Sequence, residues 1–207
     1  LLERVRKVAN GAAIMTETEV TDSILAAVSN ILPNDPLCDA MQRNLDMVGP
    51  PSFEKEDYAY ADNFTKTFSV DDIDESYKSV GIVRAEDTSL ANFVVPKGVA
   101  PQSLGGSTDV GDVSWVVPTV QLWGGNYAIG TPFHSWQMVA QGKSAMAYKG
   151  MTHAASVMAA TAVDVILDQD LRNNALADLK NKVGLDGYIC PLLKGSTPPI
   201  KAMGGTL

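Results

Sequence analysis

Val113-Ser114-Trp115-Val116-Val117-Pro118-Thr119-Val120-Gln121-Leu122-Trp123 is the stretch on which the fold class turns. Its first half reads as a helical or extended turn. Pro118 has no N–H to give a ladder and is tolerated where a strand begins. Thr119 to Trp123 then reads as a buried strand. Downstream, Ala147 to Leu167 carries the longest helical pattern, with Met151, Ala155, Met158, Ala162 and Val165 as its packing stripe. So many alanines imply close approach to a sheet. A further helix is expected near Leu171 to Val183, and Gly195 to Leu207 is a Gly- and Pro-rich tail. A strand between helical segments predicts an α/β fold, a sheet flanked by helices.

Upstream, Leu1, Val5, Val8 and Ala12 follow the spacing of an amphipathic helix, expected from Leu1 to about Ala13. No capping residue or initiator Met precedes it, so the sequence reads as cut at this point. Met15 to Thr21 alternates and is rich in β-formers, predicting a half-buried strand continuing towards Leu32. Leu32-Pro33-Asn34-Asp35-Pro36 closes that unit and starts a helix, with Asp35 as the expected cap and Pro36 in the first turn. Leu37, Met41, Leu45 and Val48 line one face before Gly49-Pro50-Pro51 stops it. Ser52 is expected to open the next helix, whose apolar side holds Tyr58, Ala61, Phe64 and Phe68. The acidic run Asp71 to Ser76 is expected as a solvated loop, and a calcium-loop reading fails for want of the expected glycine and terminal glutamate.

The 207 residues are 45% hydrophobic and 19% charged, as in a folded globular protein. A net charge of −8 without a basic cluster argues against nucleic acid and anionic membranes as partners. No uninterrupted apolar run reaches the roughly 20 residues of a membrane span. Cys38 and Cys190 make no disulfide framework, which favours a reducing, cytoplasmic setting.

Chemistry-bearing residues are sparse. His134 and His153 are the two histidines, and neither pairs with a carboxylate at metal-ligand spacing, whereas a zinc site takes at least three protein ligands. Neither cysteine lies near a histidine in sequence, and no G-x-S-x-G nucleophile elbow is present. In Gly105-Gly106-Ser107-Thr108-Asp109-Val110-Gly111-Asp112, paired glycines allow close backbone approach to a ligand, and Ser107, Thr108 and Asp109 can cap a following helix. A tight turn with its cap explains the same run. Gly130-Thr131-Pro132-Phe133-His134-Ser135-Trp136 places a histidine just past an expected strand, where α/β folds carry functional groups, although a lone histidine also serves structure. His153, within the alanine-rich helix, reads as a packing or capping residue.

Taken in order, Leu1 to Thr16, Leu32-Pro33-Asn34, Asn44-Leu45, Val48-Gly49-Pro50-Pro51, Ser107-Thr108-Asp109-Val110-Gly111-Asp112-Val113-Ser114-Trp115, Gly130-Thr131-Pro132-Phe133-His134, Val139-Ala140-Gln141-Gly142-Lys143-Ser144, Lys149-Gly150-Met151 and His153-Ala154 form a recognisable succession. The chain resembles the B-type subunits of the aminobenzoyl-glutamate utilisation amidohydrolases, a branch of the metallo-aminoacylase and glutamate carboxypeptidase superfamily. The resemblance covers all but the loop near Ser69 to Leu90 and the tail. It implies a zinc-peptidase-like catalytic domain, two divalent ions (zinc or manganese), a lid that also makes a homodimer, and a small amide substrate.

On that reading residues 1–32 end the lid, 33–194 are the C-terminal half of the catalytic domain and 195–207 are tail. His134 becomes a metal ligand. Gly105, Gly106, Ser107, Thr108, Asp109 and Thr131 border the substrate. The remaining ligands and the general-base glutamate would lie upstream of Leu1, so this chain would hold no complete metal site and would need the N-terminal half of the enzyme. The rival expectation is a non-catalytic or regulatory piece that pairs with a separate N-terminal chain.

Overall fold

A computed structural model describes residues 1–84, 87–99, 108–197, 200 and 204. Among them every regular element is a helix: α1 (Leu2–Thr16), α2 (Asp35–Val48), α3 (Lys55–Thr65), α4 (Val70–Ser79), α5 (Val110–Ser114), α6 (Trp136–Gln141), α7 (Ala145–Leu167) and α8 (Gln169–Val183). The expected α/β architecture is therefore wrong, since no strand and no sheet occurs among the described residues. Residues 18–34 and 118–126 run without helical structure, but neither acquires a ladder partner. Where 29–32 needs hydrogen bonds, side chains supply them. Ser29 N–H donates to Asp112 Oδ1 at 3.2 Å and Leu32 N–H to Ser114 Oγ at 2.8 Å, while the Asn30 carbonyl accepts from Trp115 Nε1 at 2.9 Å. Alternation of apolar residues predicts extended backbone; a strand also needs a second one beside it.

The sequence explains where the helices start. Asn34, not Asp35, caps α2: its Oδ1 accepts from Leu37 N–H at 3.3 Å, and its Nδ2 donates to the Ala175 carbonyl of α8 at 2.8 Å. Glu54, rather than Ser52, precedes α3 and forms a capping box with Asp57. The acidic run 71–76 is helical, a second correction. Ser69 Oγ accepts from Asp72 N–H at 3.1 Å while Asp72 Oδ2 accepts from Ser69 N–H at 3.0 Å, and Asp71 and Asp72 favour the positive end of the helix dipole. Ser144 caps α7.

The core is helix on helix. α2, α7 and α8 pack together, with Leu37, Ala40, Leu171 and Ala175 buried between them and Val120 and Val165 against their edge. A second cluster joins Ala61, Leu90, Ala128 and Met146, ringed by Phe53, Tyr58, Phe64 and Phe68. Most of the expected stripe of α7 is turned away from the core: Met146, Ala147, Gly150, Val157 and Thr161 are buried, whereas Met151 and Met158 are exposed, and of the expected residues Val165 packs on the core. Gly150 gives α7 close approach to residues 125–126. By length and composition α7 could cross a membrane (23 residues, mean hydropathy 1.4). Its polar groups are committed to protein instead: Lys149 to Asp57, His153 to Gly49, and Thr161 and Asp164 to Asn44. α1 stands apart, with Ala13 its one buried residue.

Candidate functional site

Residues 128–136 form a turn whose shape is fixed from inside. Ala128 is fully buried, and Ile129 N–H donates to the Ser89 carbonyl at 2.9 Å. Gly130 sits at φ +94°, and a Cβ there would lie 2.9 Å from Ile73 Cγ1 and 3.0 Å from Phe68 Cδ2, so conformation and space both require glycine. Thr131 is 6% exposed and donates from Oγ1 to the Ala128 carbonyl at 2.6 Å.

Gln141, at the end of α6 and 1% exposed, completes the arrangement. Its Oε1 accepts from Ala128 N–H at 2.7 Å, and its Nε2 donates to Thr131 Oγ1 and to the Gln137 carbonyl, both at 3.0 Å. One amide thus satisfies three groups that would be costly to bury unpaired. Ser135 caps α6 by accepting from Met138 N–H at 3.2 Å, and its own hydroxyl donates to the Pro132 carbonyl at 2.7 Å.

On this frame His134 is held at φ +59°, one of two non-glycine residues in the left-handed region among the described residues. Its side chain is exposed, and no hydrogen bond or ion pair engages it among the described residues. Phe133 beside it meets Trp123 and Tyr127 edge-on, at ring-centroid distances of 6.2 and 5.9 Å. The turn thus holds His134 in a sparsely populated backbone region with its imidazole outward, clear of the saturated polar frame beneath it. Gln141 was legible only as part of a motif; no spacing rule marks a buried glutamine.

His153 is the opposite case. Its Nε2 donates to the carbonyl of Gly49, just past α2, at 2.6 Å, and its buried Nδ1 has no partner among the described residues. It ties α7 to the end of α2.

The other expected site residues fall elsewhere. Gly105, Gly106 and Ser107 lie outside the described residues. Thr108 Oγ1 accepts from Val110 N–H at 3.3 Å, and Asp109 is exposed at the start of α5 without a capping bond. Among the described residues, no hydrogen bond or ring contact joins either to Thr131 or His134.

The rest of that motif anchors the chain. Ser114, fully buried, donates to the Gly111 carbonyl at 2.5 Å besides holding Leu32. Asp112 Oδ1 accepts from Tyr188 OH at 2.8 Å as well as from Ser29, and these donors hold its carboxyl below the usual range. A Cβ on Gly111 would lie 1.9 Å from the Ser29 carbonyl oxygen.

A divalent ion pair does not fit the described residues by themselves. They contain no group of three or more His, Cys, Asp or Glu side chains placed to hold a metal, and His134 offers a single donor.

No protein-family model matches the chain, and no solved structure matches it. The chain is similar to the B-type subunit of p-aminobenzoyl-glutamate hydrolase from Escherichia coli (strain K12), at 38% identity over 97% of its own length. It spans less than half, 44%, of that relative. The resemblance read from the motifs thus extends through nearly the whole chain.

Proposed function

We propose that this chain is a portion of an amide hydrolase acting on an N-acyl or aminobenzoyl amide of an amino acid such as glutamate. The 38% identity with a protein named as part of a p-aminobenzoyl-glutamate hydrolase carries the reading. The free imidazole on the braced 128–136 turn supports it, as an outward group held ready at a rigid place. His134 would serve as a single ligand or proton-carrying group at the edge of the reaction centre, with Thr131 and Gln141 fixing its backbone. Thr108 and Asp109, with Gly105, Gly106 and Ser107, would border the substrate from the preceding loop.

Two divalent ions belong to the proposal for the whole enzyme, and their remaining donors must come from polypeptide beyond these residues. The cytoplasmic setting and the homodimer are likewise proposals for the whole enzyme. Residues 1–32 would end a lid or dimerisation unit and 33–194 form part of the catalytic unit, with 195–207 a tail. The exposed apolar residues of α1 (Val5, Val8, Ile14 and Met15) favour a companion surface there. The relative is named as one subunit of its hydrolase, which favours a partner chain as well.

A chimera tests this directly: the segment of the Escherichia coli relative that this chain matches is replaced by the chain itself. Release of p-aminobenzoate from p-aminobenzoyl-glutamate is the expected result. A folded, assembled chimera without that release would overturn the reading and leave a non-catalytic role.

A further inference from the structure

Residues 120–126 lie along most of α7. A Cβ on Gly150 would sit 2.5 Å from both Asn126 Cβ and the Gly125 carbonyl oxygen, and one on Gly124 would meet Ala154 Cβ at 3.6 Å. Val120 packs on the same core cluster as Val165. From Gly150 to Val165 a helix rises about 22 Å. Six residue steps cover about 20 Å only when the chain is extended. Yet no backbone N–H or carbonyl of residues 119–127 has a hydrogen-bond partner among the described residues. Partly buried main chain in that state needs one.

The flank of α7 beside this segment is bare as well. Helical spacing sets Met151 and Met158 next to Ala154, three residues before it and four after, with Ala155 and Ala162 in the adjoining row. All four are exposed. The flank carries no charge, because Lys149 and Asp164, the two charged residues of α7, turn to Asp57 and Asn44. A charge-free flank and a run of unpaired main chain thus stand side by side.

That combination selects the occupant. Lipid would cover the flank but leave the main chain of 119–127 without donors or acceptors. An extended apolar segment answers both, with its main chain paired to 119–127 and its side chains laid on the flank. The Escherichia coli relative has polypeptide to supply it, since the chain spans 44% of that protein's length.

We propose that residues 119–127 and the Met151–Met158 flank of α7 form one docking surface, and that an extended apolar segment from the rest of the enzyme covers it. The source of the segment rests on the amide-hydrolase reading above; the bare main chain and flank do not. This surface is separate from α1, so the remaining polypeptide meets the chain at a second place.

The chimera and the 207-residue chain alone are compared by amide exchange and by methionine oxidation with dilute hydrogen peroxide. In the chimera, amides of 119–127 should exchange about 100-fold slower than in the chain alone, and Met151 and Met158 should oxidise about tenfold slower. Met47, exposed near the end of α2, should keep its rate. Met158→Glu should leave the helix content of the chain alone unchanged. In the chimera it should bring the 119–127 amides back to within about threefold of the chain alone. Equal rates at Met151 and Met158 in the two proteins, or equal slowing at Met47, would overturn the surface. So would protection of the chain alone that rises with its own concentration, which gives the face to a second copy, or protection by phosphatidylcholine vesicles, which gives it to lipid. Release of p-aminobenzoate with both methionines still open would overturn the surface and leave the hydrolase reading standing. Protection in a chimera without that release would support the surface and overturn the hydrolase reading.

Discussion

The α2–α7 seam and the 128–136 turn each hold one of the two histidines, and they treat it in opposite ways. In the seam, polar side chains finish one another. Asn44 Nδ2 donates to Asp164 at 2.7 Å and Thr161 at 3.3 Å, and His153 donates to Gly49 at the end of α2. In the turn, the polar groups finish the backbone and stop short of the imidazole, leaving His134 outward at a positive φ. The same residue type is thus a fastener in one place and a presented group in the other. The contrast lies in what is left unpaired.

The largest expected effect would come from swapping the roles. In the active chimera, His134→Ala should lower turnover by about 100-fold or more, beyond the roughly 10- to 100-fold typical of outer-shell partners of a reacting centre. His153→Ala should leave turnover within about threefold and cost about 1 kcal/mol of stability in urea unfolding, the worth of one internal hydrogen bond. Equal losses of turnover in the two variants would erase the contrast. Next in size is the frame. Gln141→Leu leaves the Ala128 N–H and the Thr131 hydroxyl without their partner in the interior, and about 3 kcal/mol of destabilisation is expected. A loss under about 1 kcal/mol would show that the turn keeps its shape without the glutamine.

Much of the seam was legible in the sequence, and little of the turn. Asn34-Asp35-Pro36 and the periodicity of 147–167 mark helices because capping and spacing are local. Even so, Asn34 rather than Asp35 caps α2, and the buried side of α7 runs through Gly150 and Val157 rather than Met151 and Met158. The Ser69–Asp72 box that makes 71–76 helical was present in the sequence and was outweighed by its acidity.

The expected strands failed for a different reason. Alternation in 15–32 and the apolar run 119–123 describe a backbone, not its partner, and here Asp112, Ser114 and Trp115 occupy residues 29–32. The motif that carried the resemblance is therefore in part an anchor. No local rule could show that, because its partners lie more than eighty residues away.

Gly111→Ala probes that anchor. With a Cβ at 1.9 Å from the Ser29 carbonyl oxygen, residues 29–32 must shift, and about 2 kcal/mol of destabilisation is expected. The loss should be confined to that segment, read as faster amide exchange at Ser29 and Leu32 with Ala128 unchanged. Faster exchange at Ala128 as well would mean that the anchor and the turn are one unit.

The smallest effect belongs to the ion pair between α7 and the start of α3, and it appears only in acid. Burial pushes the Asp57 carboxyl up, but Lys149 Nζ at 2.5 Å and the Glu54 N–H at 2.8 Å outweigh it, so the group titrates below its ordinary value. A carboxyl with a depressed folded-state value stabilises fully above its unfolded value of about 3.9, and that contribution fades as pH falls through the lower folded value. Stability should therefore be flat from neutral pH down to about 4 and drop below it. In Lys149→Met the main opposing group is gone while burial remains, so the drop should begin at higher pH. Because Lys149 is itself partly solvated, the gap between the two proteins should close at high salt for any part that is long-range attraction. Among the described residues the 128–136 turn contains no ion pair, so Gln141→Leu should lose the same stability at pH 4 as at pH 7. An acid-dependent loss in Gln141→Leu, or none in Lys149→Met, would mean that the α3–α7 contact and the turn are not held by different forces.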